Sequence, residues 1–256
     1  MQHYRGYLID LDGTVYRGTD KIPEAVRFVN ELAAKGLPYL FVTNNSSKKP
    51  EQVAEKLVEM GIETTPAHVF TTSMATAKYI ASLKEGASVY MIGEEGLEDA
   101  LDKEGLRIVE NGADYVVIGI DRQITYEKLA KACLEVRAGA TFISTNKDAA
   151  IPTERGLLPG NGSLTSVISV STGVAPLFIG KPEATIIEQA MQVLGTKKEE
   201  TVLIGDNYDT DILAGIHAGI DTLIVHTGVT TKERLAEMEK QPNYALDSLA
   251  EWVFEE

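Results

Sequence analysis

The sequence predicts an α/β fold: a doubly wound, mainly parallel, Rossmann-like sheet with a smaller α/β unit inserted into it. Three observations carry that expectation. Short apolar runs alternate with helix-period segments almost throughout the 256 residues, the pattern of βαβ units. The first run, Tyr4 to Ile9, is apolar nearly without a break, as a strand buried on both faces requires. Four runs then end abruptly in polar residues: Asp10/Asp12, Thr43/Asn44, Gly180-Lys181 and Asp206/Asp211. Carboxyl ends of strands are where ligands collect in open parallel sheets.

Taken in order, the first strand stops at Asp10-Leu11-Asp12-Gly13, and a short segment, Thr14 to Lys21, turns at Gly18. Pro23 opens a helix at a position where its missing N–H costs nothing, and Gly36 closes it. Strand Tyr39 to Val42 runs into Thr43-Asn44-Asn45-Ser46-Ser47, and helix Glu51 to Met60 follows. Val69 to Ser73 leads into a helix ending near Leu83. The alternation restarts at Ala87 with strand Val89 to Ile92, helix Gly96 to Lys103, strand Tyr115 to Ile120, helix Tyr126 to Arg137 and strand Thr141 to Ser144. Thr145 to Ser163 is a long loop carrying Asn146, Asp148 and Arg155, and loops of that length in compact domains tend to be functional. Helix Leu164 to Val170, the apolar stretch Leu177 to Ile179, helix Ala184 to Leu194 and strand Thr201 to Ile204 come next. A helix from Asp209 to Ala218, strand Thr222 to Val225, helix Lys232 to Glu239 and a short helix around Leu249 to Phe254 finish the chain. The spacing of the polar strand ends suggests that residues 1–76 and 177–256 build one core and residues 77–176 the insertion. Unbroken alternation also fits a single sheet.

Composition narrows the class. A hydrophobic content of 44% and a charged content of 24% are ordinary globular values. A net charge of −14 argues against nonspecific binding to nucleic acid or to an anionic membrane. No apolar run approaches the ~20 residues needed to span a bilayer, and no signal-peptide pattern precedes Asp10. The single cysteine, Cys133, lies in a helical pattern; it excludes an intramolecular disulfide and fits a reducing cytoplasm. The expectation is a cytoplasmic protein without nucleic-acid or membrane partners, homo-oligomerisation being left open.

If the four polar strand ends are neighbours, one pocket gathers three or four carboxylates, a hydroxyl, an amide and an ammonium. Nearby carboxylates repel, so a cation, a lysine or a proton must neutralise some of them. All-oxygen donors suit a hard ion such as Mg²⁺, bound by one or two carboxylates together with substrate phosphate and water. A lysine, a threonine hydroxyl and backbone N–H groups suit a phosphoryl group. A carboxylate facing that phosphorus can act as nucleophile, and one two residues further on can move the proton.

The residues carry a resemblance. Asp10-Leu11-Asp12-Gly13-Thr14, Thr43 after an apolar strand, Lys181, and Gly205-Asp206 followed by Thr210-Asp211 resemble, in order, the four motifs of haloacid dehalogenase (HAD) superfamily phosphatases. Phe41-Val42-Thr43-Asn44-Asn45, Gly180-Lys181-Pro182 and Gly205-Asp206-Asn207-Tyr208-Asp209-Thr210-Asp211 resemble the NagD-like subclass, IIA, which inserts an α/β cap between the second and third motifs. The resemblance covers essentially the whole chain. It implies a HAD core with that cap, and a Mg²⁺-dependent phosphatase acting on small phosphorylated metabolites through an aspartyl-phosphate. Asp10 would be the nucleophile, Asp12 the general acid/base, and Lys181 the neutralising cation. Thr43 and the Asn44 backbone would hold phosphoryl oxygens, with Asn45 beside them. Asp10, the main-chain carbonyl of Asp12, and Asp206 would ligate Mg²⁺, with Asp211 supporting them from behind. The loop residues Asn146, Asp148 and Arg155 resemble the substrate-facing part of such caps. Acid sugar phosphatases are among the members most similar, so Arg155 would grip a substrate carboxylate, which a guanidinium fork fits, or else be a surface residue that holds the loop.

Two other classes remain open at this stage. A phosphotransferase or phosphomutase could use the same scaffold, and a phosphoacceptor signalling module also combines acidic residues with a Thr and a Lys. Other motifs fall away. Gly173 to Lys181 has the wrong glycine spacing for a P-loop, and Pro182 replaces its Ser or Thr. His3, His68, His217 and His226 lack metal-ligand spacing. Ser73, Ser144 and Ser169 lack a nucleophile elbow. Trp252 reads as a packing anchor.

Overall fold

Strand β1 (Gly6–Ile9) is buried along its whole length, which fits its unbroken apolar run. The computed structural model describes residues 4–153 and 155–254; His3 lies outside them. A small antiparallel hairpin, β2 (Tyr16–Arg17) and β3 (Asp20–Lys21), turns at Gly18, and helix α1 (Pro23–Ala34) follows with its proline at the start. Next come β4 (Tyr39–Thr43), α2 (Pro50–Glu59), β5 (Val69–Thr71) and α3 (Thr72–Leu83). The middle of the chain supplies β6 (Ser88–Ile92), α4 (Glu95–Lys103), β7 (Arg107–Ile108), β8 (Tyr115–Ile118), α5 (Tyr126–Arg137) and β9 (Thr141–Ser144). After it come β10 (Ala150–Thr153), β11 (Gly156–Pro159), α6 (Asn161–Thr172) and β12 (Leu177–Phe178). The last stretch holds α7 (Ala184–Leu194), β13 (Thr201–Gly205), α8 (Leu213–Ala218), β14 (Asp221–Val225), α9 (Lys232–Ala236) and β15 (Tyr244–Leu246).

The chain divides into two compact units. Among the described residues, the first comprises those through Thr43, Glu51–Phe70, and those from Lys181 onward; the second comprises Asn44–Pro50 and those between Thr71 and Gly180. The predicted fold class, α/β with mainly parallel sheets, is what these units show. The first unit is built on a six-stranded sheet of order β15-β14-β13-β1-β4-β5, with β1 paired in parallel to β13 and to β4. An aromatic cluster closes its core: Tyr7, Phe28 and Trp252 meet edge to face at 6.0–6.3 Å between ring centroids. Trp252 is thus the packing anchor its sequence position suggested. The second unit is built on a five-stranded sheet of order β12-β9-β8-β6-β7, parallel in each pair. Its core includes Val116, Ile118, Phe142, Ile168 and the buried Cys133. Among the described residues no helix is long and apolar enough to cross a membrane.

The structure departs from the sequence reading in several places. Leu177–Phe178 pairs with β9, on the sheet of the second unit, so Lys181 does not leave a strand of the core sheet. Residues 145–163 are not all loop: β10 and β11 form a hairpin there, and α6 begins at Asn161 rather than Leu164. The helix expected from Asp209 begins as a wide π-type turn, Tyr208–Ile212, because the Asn207 carbonyl accepts from both Asp211 and Ile212. Short strands β7 and β15 carry too few residues to register as a pattern.

Candidate active site

Strand register brings the carboxylates together. Ile9 of β1 lies opposite Ile204 of β13 and Phe41 of β4, and the Asp10 N–H extends the ladder to the Ile204 carbonyl at 2.8 Å. Asp10 and Asp206 therefore leave neighbouring parallel strands at the same end of the sheet. The wide turn after β13 carries Asp211 back toward that end, where its carboxylate accepts from the Asn207 N–H at 3.0 Å. One carboxylate oxygen from each of Asp10, Asp206 and Asp211 falls within 4.8 Å of the others.

Lys181 enters the same cluster. Its ammonium donates to Asp10 at 2.5 Å, to Asp211 at 2.7 Å, and to the Val42 carbonyl of β4 at 2.9 Å. Burial alone would strip the charge from this lysine, but Asp10 and Asp211 outweigh it and raise the ammonium above its ordinary range. The carboxylates pull the other way. Burial pushes Asp10 well above the usual carboxylate range, and the Asp211 charge adds to it while Lys181 opposes. Burial, then Asp211, pushes Asp206 up to about 6, against N–H donation from Val229. With all three carboxylates ionised, as a bound cation would require, one ammonium leaves two negative charges to balance. The donors are hard oxygens, and the uncompensated charge is that of a divalent cation, so these residues fit an ion such as Mg²⁺.

The turn leaving β1 is shaped by close approach. Gly13 has φ +94°, and a Cβ there would lie 2.4 Å from the Asp206 carboxylate. Thr14 places its hydroxyl 3.1 Å from Asp206 and 3.4 Å from Asp10, so its single proton serves one or the other. Asp12, two residues beyond Asp10, is exposed and stands outside the buried triad. Burial followed by the Asp12 and Asp10 charges raises the Tyr16 phenol.

The remaining sequence candidates separate into groups. Thr43 ends β4 and is buried. In the second unit, Asp148 accepts from Asn146 at 2.7 Å and from Asn44 at 3.3 Å, so these three form one cluster. Asn45 turns its side-chain oxygen onto its own loop, accepting from the Ser47 and Lys48 N–H groups. Arg155 is exposed at the turn of the β10–β11 hairpin, where its N–H donates to Thr153. His217 and His226 face the Pro182 and Thr230 carbonyls, and among the described residues neither joins a group of side chains that could hold a metal.

Sequence reasoning assigned no role to Thr14 and missed the segment after β14. There the Val229 N–H donates to Asp206 at 2.7 Å, and Thr227 donates to the Gly13 carbonyl at 2.7 Å. Neither contact has a local signature, since each spans about two hundred residues or depends on a loop returning to a strand end.

Known proteins share this arrangement of sequence. A haloacid dehalogenase-like hydrolase family model matches residues 7–107, and a HAD-hydrolase-like model matches residues 178–252. The 5'-nucleotidase YutF of Bacillus subtilis is 63% identical over 253 residues, covering 99% of both chains. An acid sugar phosphatase of Staphylococcus aureus is 56% identical over 257 residues, covering 100% of this chain and 99% of its own. Among solved structures, NagD from E. coli K-12 matches with a TM-score of 0.93 at 32% identity, covering 99% of this chain and 100% of its own.

Proposed function

The chain belongs to the haloacid dehalogenase-like hydrolases and is a NagD-like phosphoric monoester hydrolase; we propose that it is Mg²⁺-dependent and works through a phosphoaspartate on Asp10. The observation that carries this reading is the Lys181 ammonium held between Asp10 and Asp211 beside Asp206. A buried nucleophile with a fixed cation at its side suits a reaction that consists mainly of positioning and charge stabilisation.

In the first half-reaction an Asp10 oxygen bonds to phosphorus as the ester oxygen leaves, and Asp12 gives that oxygen its proton. In the second, Asp12 takes a proton from water, whose oxygen bonds to phosphorus as the Asp10–phosphorus bond breaks. Inorganic phosphate departs and both carboxylates return to their starting states. The exposure of Asp12 supports this assignment, because a group that exchanges protons with leaving group and water must reach both. Lys181 holds Asp10 in place and offsets charge on the transferring group; Thr43 and the Asn44 backbone bind phosphoryl oxygens. Asp10, the Asp12 carbonyl and Asp206 would hold Mg²⁺, with Asp211 behind them, and the bound ion would supply positive charge to the phosphoryl oxygens. Exposed to solvent as it is, Arg155 is assigned to the carboxylate of an acidic sugar phosphate, with Asn45, Asn146 and Asp148 as further substrate contacts.

The substrates proposed are small phosphomonoesters, sugar-acid phosphates and nucleoside monophosphates foremost, in keeping with the names of the two curated relatives. Phosphate release from p-nitrophenyl phosphate and from a panel of these metabolites is the test. Activity that appears with Mg²⁺ and vanishes with EDTA is expected, with higher kcat/KM on a small metabolite than on the nitrophenyl ester. Turnover undiminished by EDTA contradicts the metal assignment.

A further inference from the structure

We propose that Thr227 is a positioning residue that staples together the two walls of the slot holding the Asp206 carboxylate, and so tunes cation binding there. The slot is formed by two glycines from opposite ends of the chain. A Cβ on Gly13 would meet the Asp206 carboxylate at 2.4 Å, and one on Gly228 would meet it at 1.9 Å. Only backbone can approach an oxygen pair from both sides at such range. Thr227, immediately before the second glycine, donates its hydroxyl to the carbonyl of the first at 2.7 Å. The bond ties wall to wall.

The same loop grips Asp206 at two further points. The Val229 N–H donates to its carboxylate at 2.7 Å, and the Thr230 N–H donates to its main-chain carbonyl at 3.1 Å. Thr230 is itself fixed, because its hydroxyl accepts from the Tyr208 N–H at 2.9 Å. On the other side, Arg17 of the β2–β3 hairpin donates to the Thr227 carbonyl. The Thr227 hydroxyl bond joins the two walls directly, and a near-isosteric substitution can delete it. Partners that orient a metal ligand from behind commonly change metal affinity about 10- to 100-fold when removed. The backbone it holds, Gly13, follows Asp12, so the staple also sets the position of the proposed acid/base.

This inference rests on the reading of Asp206 as a cation ligand, and the experiment separates the two. Binding of Mn²⁺, as a spectroscopic stand-in for Mg²⁺, is titrated by electron paramagnetic resonance into wild type, Thr227→Val, Thr227→Ser and Asp206→Asn, with metal-free thermal unfolding measured for each. Expected are a Mn²⁺ Kd raised about tenfold in Thr227→Val, a kcat for p-nitrophenyl phosphate lowered more than KM changes, and near wild-type values for Thr227→Ser. A Thr227→Val protein that unfolds at the wild-type temperature and binds Mn²⁺ as tightly as wild type overturns the staple alone. An Asp206→Asn protein that binds Mn²⁺ undiminished overturns the ligand reading, and the staple with it. If Thr227→Val is less stable without metal, Thr227→Ser decides: with stability restored but Kd still raised, the hydroxyl is not what tunes the site.

Discussion

Lys181 and Asp211 lie 2.7 Å apart with 2% and 1% of their side chains exposed, a salt bridge sealed from water. The bridge anchors the ammonium whose second carboxylate partner is Asp10. Deleting the cation would leave three buried carboxylates facing one another. Lys181→Met should therefore cost about 3–5 kcal/mol, as removal of one partner of a buried pair does. Denaturant unfolding of Lys181→Met and of Lys181→Met/Asp211→Asn checks this; the second substitution should recover part of the loss, and activity should be absent in both.

Asp10→Asn separates chemistry from folding. Burial and the neighbouring charges hold the Asp10 carboxyl above its unfolded value, so the folded chain binds the proton more readily than the unfolded chain. The ionised group thus costs stability as pH rises, and a neutral amide should leave metal-free thermal stability unchanged or higher. Turnover should fall by about 10⁴-fold or more if the nucleophile is gone. Asp12→Asn should keep substrate binding while lowering kcat by about 10²–10⁴-fold. Steady-state kinetics alongside unfolding curves measure both.

Protons and cations should compete at Asp206. Burial and the Asp211 charge push its folded pKa up to about 6, above the ordinary carboxylate value, so protonation of Asp206 contributes stability to the metal-free protein as pH falls through that value. A bound cation requires the ionised form, and binding then releases a proton. The rise in unfolding temperature on adding Mg²⁺ should be larger at pH 7.5 than at pH 5. Calorimetric scans with and without Mg²⁺ at the two pH values test the sign; an equal rise at both contradicts it.

Gly13→Ala should be severe. The substitution adds a Cβ 2.4 Å from Asp206 at a backbone φ of +94°, so the turn or the carboxylate must move. A loss of about 2–4 kcal/mol, with weakened Mg²⁺ binding, is expected from strain and crowding together. Unfolding and metal titration of the variant check it.

Most of this fold was legible because long buried strands and helices repeat their pattern: β1, β4, β13 and α1 fall within a residue or two of where their apolar runs place them. What escaped notice was short or nonlocal. The β10–β11 hairpin looked like loop because its strands are mostly exposed and carry no buried face. Leu177–Phe178 looked like a core strand because an apolar pair before Gly-Lys does not say which sheet it joins. In the site, Asp10, Asp206, Asp211 and Lys181 stood at recognisable positions and do converge. Thr227 did not stand out, since a hydroxyl bond to a carbonyl 214 residues away leaves no trace in spacing.

In the proposed reaction Asp10 carries the phosphoryl group between the two half-reactions. Rapid acid quenching of the enzyme during turnover of a ³²P-labelled phosphomonoester, followed by peptide mass mapping, tests it most directly. Label on the peptide containing Asp10, absent from the Asp10→Asn protein, is the result predicted. Turnover with no covalent label, or with label on another residue, would contradict it.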